Sequence, residues 1–394
     1  MEQRKHAKRK FNIKSFFRFA EKGTNVDMPL LVITLTLLGV GLIMLYSASY
    51  VKGLYERGDS LHYIKDQMVF AVIGVVAMFL ISKLDYRILR RYTLLVLCIT
   101  YILLVLVFFM PEINYANRWI VIPGVLTFQP SEIAKFAVIL IFADWIQRFG
   151  TQKMRTFKYG LLPFLILLGS IAGLVIVEPH ISATLIICAI GAIMMWIGGT
   201  NEKYFLLGVA LVVAAVIMAY FLNPAGLWER FMGRYYAWRN PESDLQGSGY
   251  QSYQSLLAIG SGGLFGLGLG NSRQKHLHLP EPQNDFIFAV VCEELGFIGG
   301  VLVICLFLAL LLRGMYVAFK AKDKFGAMLV VGVISQITIQ AFLNIAVATN
   351  TIPNTGISLP FFSEGGTSLL MLLGEMGIVL SVSRYANLEK GEQI

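Results

Sequence analysis

Acidic side chains stand both at the start of and inside an apolar stretch, "LPEPQNDFIFAVVCEELG", residues 279–296. Asp285 follows two prolines, so the pattern predicts a helix start with Asp285 as N-cap. A carboxylate at the mouth of a membrane cavity can also act as a general base. Glu293 and Glu294 lie about 12–14 Å deeper along the helix. Because ionisable groups at that depth usually face a bundle interior, we expect this pair to brace the bundle.

A second polar cluster lies in "NRWIVIPGVLTFQPSEIAKF", residues 117–136. Pro130 and the residues after it suit the first turn of a helix, and Glu132 with Lys135 forms an i,i+3 ion pair on one face. Arg118 and Trp119 come shortly before this turn. At the outer membrane face, such a cluster could hold an anionic lipid head group.

These residues must be positioned by membrane-spanning helices. The chain has 394 residues, of which 56% are hydrophobic and 14% charged, and its mean hydropathy is +0.67. A spanning segment must be a helix of about 20 apolar residues or part of a closed barrel, and long unalternating runs exclude the barrel. The sequence therefore predicts an all-α polytopic membrane protein with about ten helices, at 28–49, 68–84, 93–110, 131–148, 161–177, 182–198, 204–222, 285–312, 326–349 and 366–383.

Lys and Arg residues set the orientation of these helices. They concentrate at the two termini and in the loops on the same side, which the positive-inside rule assigns to the cytoplasm. This surplus explains the net charge of +9 without a nucleic-acid partner. We expect a basic cytoplasmic tail over 1–27, a transmembrane domain over 28–384 with a long outer loop at 223–284, and a second cytoplasmic tail over 385–394.

No part of the sequence resembles a soluble catalytic domain, so a site must be built from outer loops and helix ends. The outer loop contains a candidate interfacial helix, "LWERFMGRYYAWRNP", and a glycine-rich stretch, "QSLLAIGSGGLFGLGLGNS", which favours a folded or re-entrant element over a firm helix. Gln336, Gln340 and Asn344 recur every four residues, which favours hydrogen bonds between helices, with a polar groove as the alternative.

Several motifs occur together in one order along the chain. They are "LYSAS", "ANRWI" with "QPSEIAK", "GSGYQSYQSLLAIGSGGLFGLGLGNSRQKHLHLPEPQNDFIFAVVCEELG" and "NTGISLPFFSEGGTSLL". From about Pro29 to Tyr385 the chain resembles the SEDS family (shape, elongation, division and sporulation), in its FtsW and SpoVE branch, which is related to RodA. The resemblance implies a ten-helix peptidoglycan glycosyltransferase of the bacterial cytoplasmic membrane. Such an enzyme polymerises lipid II on the outer face, beside a class B penicillin-binding protein.

The resemblance also implies residue roles. Asp285 matches an essential carboxylate and becomes the candidate general base, while Glu132 orients Lys135 or shares the acid/base role. The remaining motif and basic positions become candidates for substrate binding: Lys135, Arg118, Trp119, Gln129, Ser131, Arg230, Arg234, Gln251, Gln254, Ser255, Lys275, Ser363, Gly365, Gly366 and Thr367. The chain departs from the family pattern at three positions, where His180 replaces an acid, Asn354 a hydrophobic residue and Glu364 an aromatic one.

Several alternatives stay open at this point. Intramembrane acids would also suit a lipid II flippase, and a scaffold that activates a penicillin-binding protein without chemistry of its own is a third hypothesis. A divalent cation, Mg²⁺ or Mn²⁺, could supply positive charge, although no motif demands one. The expected partners are lipid II, undecaprenyl-linked glycan, the transpeptidase and other division or sporulation proteins. The segment "LPEPQNDFIFA" points away from the elongation branch.

Overall fold

The fold is an all-helical bundle with one small hairpin. A computed structural model describes residues 25–111, 118–122, 126–178, 180–222, 227–243 and 249–386. Most of both predicted tails therefore lies outside the described residues. The helices are α1 Met28–Arg57, α2 His62–Lys83, α3 Leu89–Leu106, α4 Pro130–Met154, α5 Phe157–Gly160, α6 Leu162–Val177, α7 Ile181–Gly198, α8 Glu202–Leu222, α9 Leu227–Arg239, α10 Gly249–Gly262, α11 Ile287–Lys320, α12 Lys324–Ala348 and α13 Gly366–Tyr385.

Within the described ranges, eight helices are long and apolar enough to cross a membrane, which confirms a multi-pass membrane protein. The other two predicted spans, 131–148 and 204–222, coincide with α4 and α8. Helix α4 carries Glu132, Lys135 and Asp144, which lower its hydropathy. The full number of spans stays a prediction.

Helix α12 lies at the centre of the bundle, where most of its side chains are buried. It packs against α4, α7, α11 and α13, and α13 packs along the length of α2. The predicted polar stripe makes bonds between elements: Gln336 donates to Glu375 of α13, and Asn344 donates to the carbonyls of Asp285 and Ile357. The expectation of interhelical hydrogen bonding is confirmed.

One end of the bundle gathers ion pairs that join helix ends. Asp27 caps α1, and its two carboxylate oxygens accept hydrogen bonds from Nε and Nη2 of Arg313, about two turns before the end of α11. Buried Asp144 is paired with Arg90 and Arg148 at 2.7 Å each. The positive-inside rule predicts that this Arg-rich end is cytoplasmic. The starts of α4, α11 and α13 lie at the opposite end, so the structure brings Asp285 and the QPSE segment to the predicted outer side.

The outer loop forms main-chain hydrogen bonds with the first part of α11. The amide of Leu267 donates to the carbonyl of Glu293, and the amide of Phe297 donates to the carbonyl of Gly263. This approach needs glycine at Gly296, whose φ of +71° interrupts α11 and where an added Cβ would lie 2.3 Å from the Gly266 nitrogen. The prediction that this loop is folded is confirmed, and its placement on the outer side stays a prediction.

Two local predictions for this region need correction. The stretch predicted to be too glycine-rich for a firm helix is helical in its first half, because α10 extends to Gly262. Asp285 is not the N-cap of α11, since Phe286 occupies that position and no side chain caps the helix. The Asp285 carboxylate accepts no capping hydrogen bond from the first amides of α11, so it is available to the neighbouring cavity.

Candidate active site

A polar cavity of about 490 Å³ opens at the outer end of the bundle. It is bounded by the starts of α4, α7 and α13 and by the segments that precede α11 and α13. The residues predicted for the site that line it are Arg118, Trp119, Gln129, Glu132, Lys135, Asp285, Gly365, Gly366 and Thr367. Residues from opposite ends of the sequence thus meet around one space, which we call the main cavity.

Lys135 lies at the floor of the main cavity with its ammonium almost fully enclosed. Its Nζ atom lies 2.8 Å from Glu132 Oε1 and donates to Gln340 Oε1 at 3.0 Å. The other Glu132 oxygen accepts a bond from the Ser368 hydroxyl at 3.3 Å. The helix start predicted from "QPSEIAK" is confirmed, with Pro130 in the first turn of α4. Three helices therefore fix one cation beside the space that a substrate would fill.

Asp285 faces the main cavity from the segment just before α11. Its main-chain carbonyl accepts a bond from Asn344 Nδ2 at 2.7 Å, which fixes the backbone without engaging the carboxylate. Burial raises the pKa of Asp285 to about 6, with a further rise from Glu281 and an opposing effect from Arg118. A carboxyl with this pKa is mostly ionised near neutral pH yet basic enough to accept a proton, as a general base requires.

His180 replaces an acid of the family pattern and lies at the wall of the main cavity. Its Nδ1 atom lies 3.3 Å from both the Ser131 hydroxyl and Gln129 Nε2. Burial, with Arg118 and Lys135 close by, lowers the pKa of His180 to about 3, so the ring is neutral. Ser131 and Gln129 thus hold His180, and of these two only Gln129 also lines the main cavity.

Glu178 is a buried acid beside this wall. Both carboxylate oxygens are enclosed without a hydrogen-bond partner among the described residues. Burial raises the pKa of Glu178 to about 8, and nearby Arg118 partly opposes the rise. A protonated carboxyl at this position adds no charge to the site at neutral pH.

The segment between α12 and α13 forms the remaining wall and is tied to the segment before α11. Ser363 donates to the carbonyl of Asn284 at 2.7 Å, and the Glu364 amide donates to the carbonyl of Gln283 at 2.9 Å. The Glu364 carboxyl lines the main cavity, and burial together with Glu281 raises its pKa to about 7. Ser363 itself faces its own loop, so it positions the wall and does not line the main cavity.

A short hairpin places Arg118 and Trp119 over the main cavity. Strands Ile120–Ile122 and Leu126–Phe128 pair antiparallel, and Thr367 at the start of α13 donates to the carbonyl of Thr127 at 3.1 Å. Arg118 also borders a second cavity of about 260 Å³, which is lined further by Arg234, Trp238, Gln251 and Asn354. Burial and the nearby Arg234 both lower the pKa of Arg118. The two cavities share one guanidinium group.

Comparison with known proteins gives the family. A family model described as "Cell cycle protein", FTSW_RODA_SPOVE, matches residues 28–388. The chain belongs to the FtsW/RodA/SpoVE family. It is 41% identical to "Stage V sporulation protein E" of Bacillus subtilis over 93% of this chain and 99% of that protein. It is 37% identical to "Probable peptidoglycan glycosyltransferase FtsW" of Trichlorobacter lovleyi, over 93% of this chain and 94% of that protein.

Solved structures of this family share the fold. One chain, from "Structural coordination of polymerization and crosslinking by a peptidoglycan synthase complex", aligns with a TM-score of 0.75 and 26% identity, over 91% of this chain and 98% of that chain. The rod shape determining protein RodA of Thermus thermophilus aligns with a TM-score of 0.66 and 25% identity, over 92% of this chain and 98% of that chain. The resemblance inferred from the motifs is confirmed, as is a multi-pass protein of the cytoplasmic membrane.

Some predicted substrate-binding residues lie away from the main cavity. Lys275 is fully buried and pairs with Glu294 at 2.6 Å, so its charge is already neutralised inside the protein. Ser255 is buried and donates to the carbonyl of Ala348 at 2.7 Å. Gln254 lines neither of the two cavities, and Gln251 lines only the second. For Arg230, the helix α9 is described but the side chain lies outside what the structure describes.

The deeper acid pair has the bracing role predicted for it. Glu293 accepts bonds from the amide of Arg273 at 2.9 Å and from the Ser261 and Ser272 hydroxyls. Glu294 accepts from the Ser47 hydroxyl of α1 as well as from Lys275. These two carboxylates fasten the outer loop to α11 and α1. The missed signal was the spacing of Ser and Lys residues in "GNSRQKH", which supply their partners.

Sequence reasoning also missed residues that do line the main cavity. For Gln340 the alternative of a polar groove is confirmed, because it accepts from Lys135 and lines the cavity, but its bond to Lys135 was not predicted. Ser358 and Glu281 line it too, and both come from loops whose conformation no periodicity predicts. Among the described residues, no group of three His, Cys, Asp or Glu side chains is arranged to hold a metal ion.

An apolar groove of about 460 Å³ begins beside the main cavity and runs toward the cytoplasmic end. Phe136 and Leu370 line the start of this groove. In sequence, Phe136 follows Lys135 directly and Leu370 lies two residues after Ser368, and both Lys135 and Ser368 line the main cavity. Ile378 lines it farther along α13, and Tyr86 lines it from the short turn that precedes α3. The main cavity and the apolar groove thus lie within one helical turn of each other.

Proposed function

We propose that this chain is a peptidoglycan glycosyltransferase that polymerises lipid II at the outer face of the cytoplasmic membrane, with Asp285 as general base. The observation that carries the proposal is the convergence of Asp285, the Glu132–Lys135 pair and Arg118 on one polar cavity at the outer end of the bundle. Family membership supports the same activity, since FtsW relatives are named as probable peptidoglycan glycosyltransferases.

The reaction joins a sugar hydroxyl of one substrate to the anomeric carbon of another. As the new C–O bond forms, the bond from that carbon to the pyrophosphate oxygen breaks, and its electron pair leaves with undecaprenyl pyrophosphate. The hydroxyl proton goes to the Asp285 carboxylate. A positioned base of this kind typically contributes about 10²–10⁴-fold to the rate.

The leaving pyrophosphate gains negative charge, which fixed cations in an enclosed site stabilise strongly. Lys135 is rigidly held by Glu132 and Gln340, so it needs no reorganisation when charge develops. Arg118 supplies a second cation above the cavity. Glu132 pairs with Lys135 at 2.8 Å and holds it in place, which favours the positioning role over the acid/base role among those predicted for it.

The apolar groove beside Phe136 and Leu370 suits a polyprenyl tail. A substrate whose sugars and pyrophosphate occupy the polar cavity can extend its hydrocarbon into the groove without crossing water. Tail and head group then meet at the boundary where Lys135 lies. This arrangement explains why the site is built on helix ends rather than in a separate outer domain.

We further propose that the chain works beside a class B penicillin-binding protein, in division or sporulation. One structural neighbour comes from a peptidoglycan synthase complex in which polymerisation and crosslinking are coordinated. The likeness to Stage V sporulation protein E and to FtsW proteins supports a role in this branch.

Reconstituted vesicles test the proposal. Labelled lipid II is supplied outside vesicles that hold the purified chain, with and without a candidate class B penicillin-binding protein, in buffers with and without Mg²⁺ or Mn²⁺. We expect glycan polymer from externally supplied substrate. Transfer of labelled lipid between leaflets without polymer would instead identify a flippase, and the absence of both transfer and polymer in the presence of the partner would support a scaffold.

A further inference from the structure

We propose that the second cavity is the donor subsite, which holds the sugar that carries the departing pyrophosphate, while the main cavity holds the acceptor sugar beside Asp285 and receives the pyrophosphate at Lys135. This inference rests on the proposed function and divides its site between two substrates. The second cavity shares Arg118 and Gly356 with the main cavity and is built from α9, α10 and the segment before α13.

An aromatic ring in this cavity is held rigid. The Trp238 indole N–H donates to the carbonyl of Asn350 at 2.9 Å, and the Asn350 amide donates back to the carbonyl of Trp238 at 3.2 Å. The Tyr235 ring packs beside it, with ring centroids 5.7 Å apart. A fixed aromatic body with a satisfied polar tip offers apolar surface to a ligand at low entropic cost. The C–H face of a pyranose ring matches such a surface.

Polar groups suited to sugar hydroxyl and amide substituents surround this ring. Asn354 Nδ2 donates to Gln251 Oε1 at 2.8 Å, while Asn354 Oδ1 accepts from the Gly356 amide at 3.0 Å. This network orients the Gln251 amide, whose N–H groups have no partner among the described residues and can donate to a ligand. The buried Ser252 hydroxyl and Thr355 complete the lining. The departure at Asn354 therefore supplies one half of a polar pair in this wall.

The charged residues that line each cavity indicate which substrate it holds. Arg118 and Arg234 line the second cavity, where no described residue is acidic. The main cavity holds Arg118 and Lys135 beside four acids, Asp285, Glu281, Glu364 and Glu132. Two neighbouring guanidinium groups favour a pyrophosphate, which they can bind through paired N–H groups. A carboxylate base favours a neutral hydroxyl. Because the leaving group belongs to the donor and the proton to the acceptor, the cationic cavity fits the donor.

A cavity of about 260 Å³ has room for one sugar ring rather than a whole disaccharide with its peptide. The anomeric carbon then lies near Arg118, at the boundary between the cavities, where the hydroxyl activated by Asp285 would reach it. Gly356 and Arg118 line both cavities, and Gly356 has no side chain to obstruct the boundary between them.

Two single-role substrates test this assignment. Lipid II methylated on its glucosamine O4 acts only as donor, and a tail-less disaccharide with a methyl glycoside at its reducing end acts only as acceptor because it has no leaving group. For Gln251→Leu and Asn354→Leu we expect the donor KM to rise on the order of tenfold, with the acceptor KM unchanged. The matched main-cavity variant Thr367→Val should raise the acceptor KM instead.

Thermal unfolding of each variant checks that the fold survives. A rise in acceptor KM, or no rise in either KM, for the Gln251 and Asn354 variants would overturn the assignment. Direct binding of the methylated donor separates this inference from the proposed function. If the wild type forms no tetrasaccharide, donor binding that persists in Asp285→Asn and is lost in Gln251→Leu still supports a donor subsite, whereas equal binding by both variants contradicts it.

Discussion

Replacing Lys275 with methionine tests whether this buried cation is structural. Its Nζ atom lies 2.6 Å from Glu294 Oε1 and 3.2 Å from Ser47 Oγ, and it packs over the Tyr50 ring at 4.8 Å. Methionine matches the length of the side chain but leaves Glu294 buried and uncompensated. Removing one partner of a buried ion pair costs about 3–5 kcal/mol. We therefore expect Lys275→Met to lower the free energy of unfolding by about that amount.

A matched surface pair and a double variant sharpen the test. Lys52 of α1 pairs with Glu281 of the same loop at 2.8 Å, but the Glu281 side chain is 46% exposed. We expect Lys52→Met to cost less than about 1 kcal/mol. Lys275→Met combined with Glu294→Gln removes both charges and should recover most of the loss.

Thermal unfolding of the purified variants in detergent and their KM for lipid II give the readouts. Lys275→Met should lower the unfolding temperature well below that of Lys52→Met, with little change in KM measured below that temperature. A large rise in the KM of Lys275→Met at an unchanged unfolding temperature would refute this reasoning and indicate that Lys275 binds substrate.

Three further predictions concern the main cavity. Because Asp285 must be ionised to accept a proton and its pKa is raised to about 6, kcat/KM should fall about tenfold per pH unit below that value and level off above it; initial rates across this range check it, and activity that stays flat to pH 5 would contradict it. Lys135→Met should lower kcat by about 10²–10³-fold in a lipid II polymerisation assay, whereas a mere rise in KM would show that Lys135 only binds the ground state. Gly356→Ala introduces a methyl 3.5 Å from Asp285 Oδ2 at a φ of +65°. We expect its activation free energy to rise by more than the about 1–2 kcal/mol that it costs in free energy of unfolding, as measured by parallel rate and unfolding assays. Full activity would show that the reaction does not use this space.

The spacing of apolar and charged residues in the sequence predicted the helices and the main ion-pairing residues of the site well. The start of α4 at Pro130, with the Glu132–Lys135 pair, follows from residue spacing alone, because i,i+3 positions on a helix are neighbours wherever the helix packs. The bracing role of Glu293 and Glu294 follows from the cost of burying a charge in a membrane.

Contacts between distant segments could not be predicted in this way. Lys275 shares its sequence neighbourhood with Asp285, yet the loop folds it inward onto Glu294 and Ser47, which are 19 and 228 residues away. Gln340 lies on a stripe that periodicity assigns to helix packing, and only the position of α4 reveals that it also holds Lys135. The boundary between the two cavities at Gly356 depends on a loop with no repeating pattern.

Polymerisation of labelled lipid II by Asp285→Asn, compared with the wild type under identical conditions, tests the central claim most directly. The amide keeps the shape of the carboxyl but cannot accept the proton. Because burial makes the ionised carboxylate unfavourable in the folded protein, the variant should unfold at or above the wild-type temperature. We predict a well-folded variant whose product falls by about 10²-fold or more. Product chains formed at the wild-type rate would contradict the assignment of Asp285 as the base.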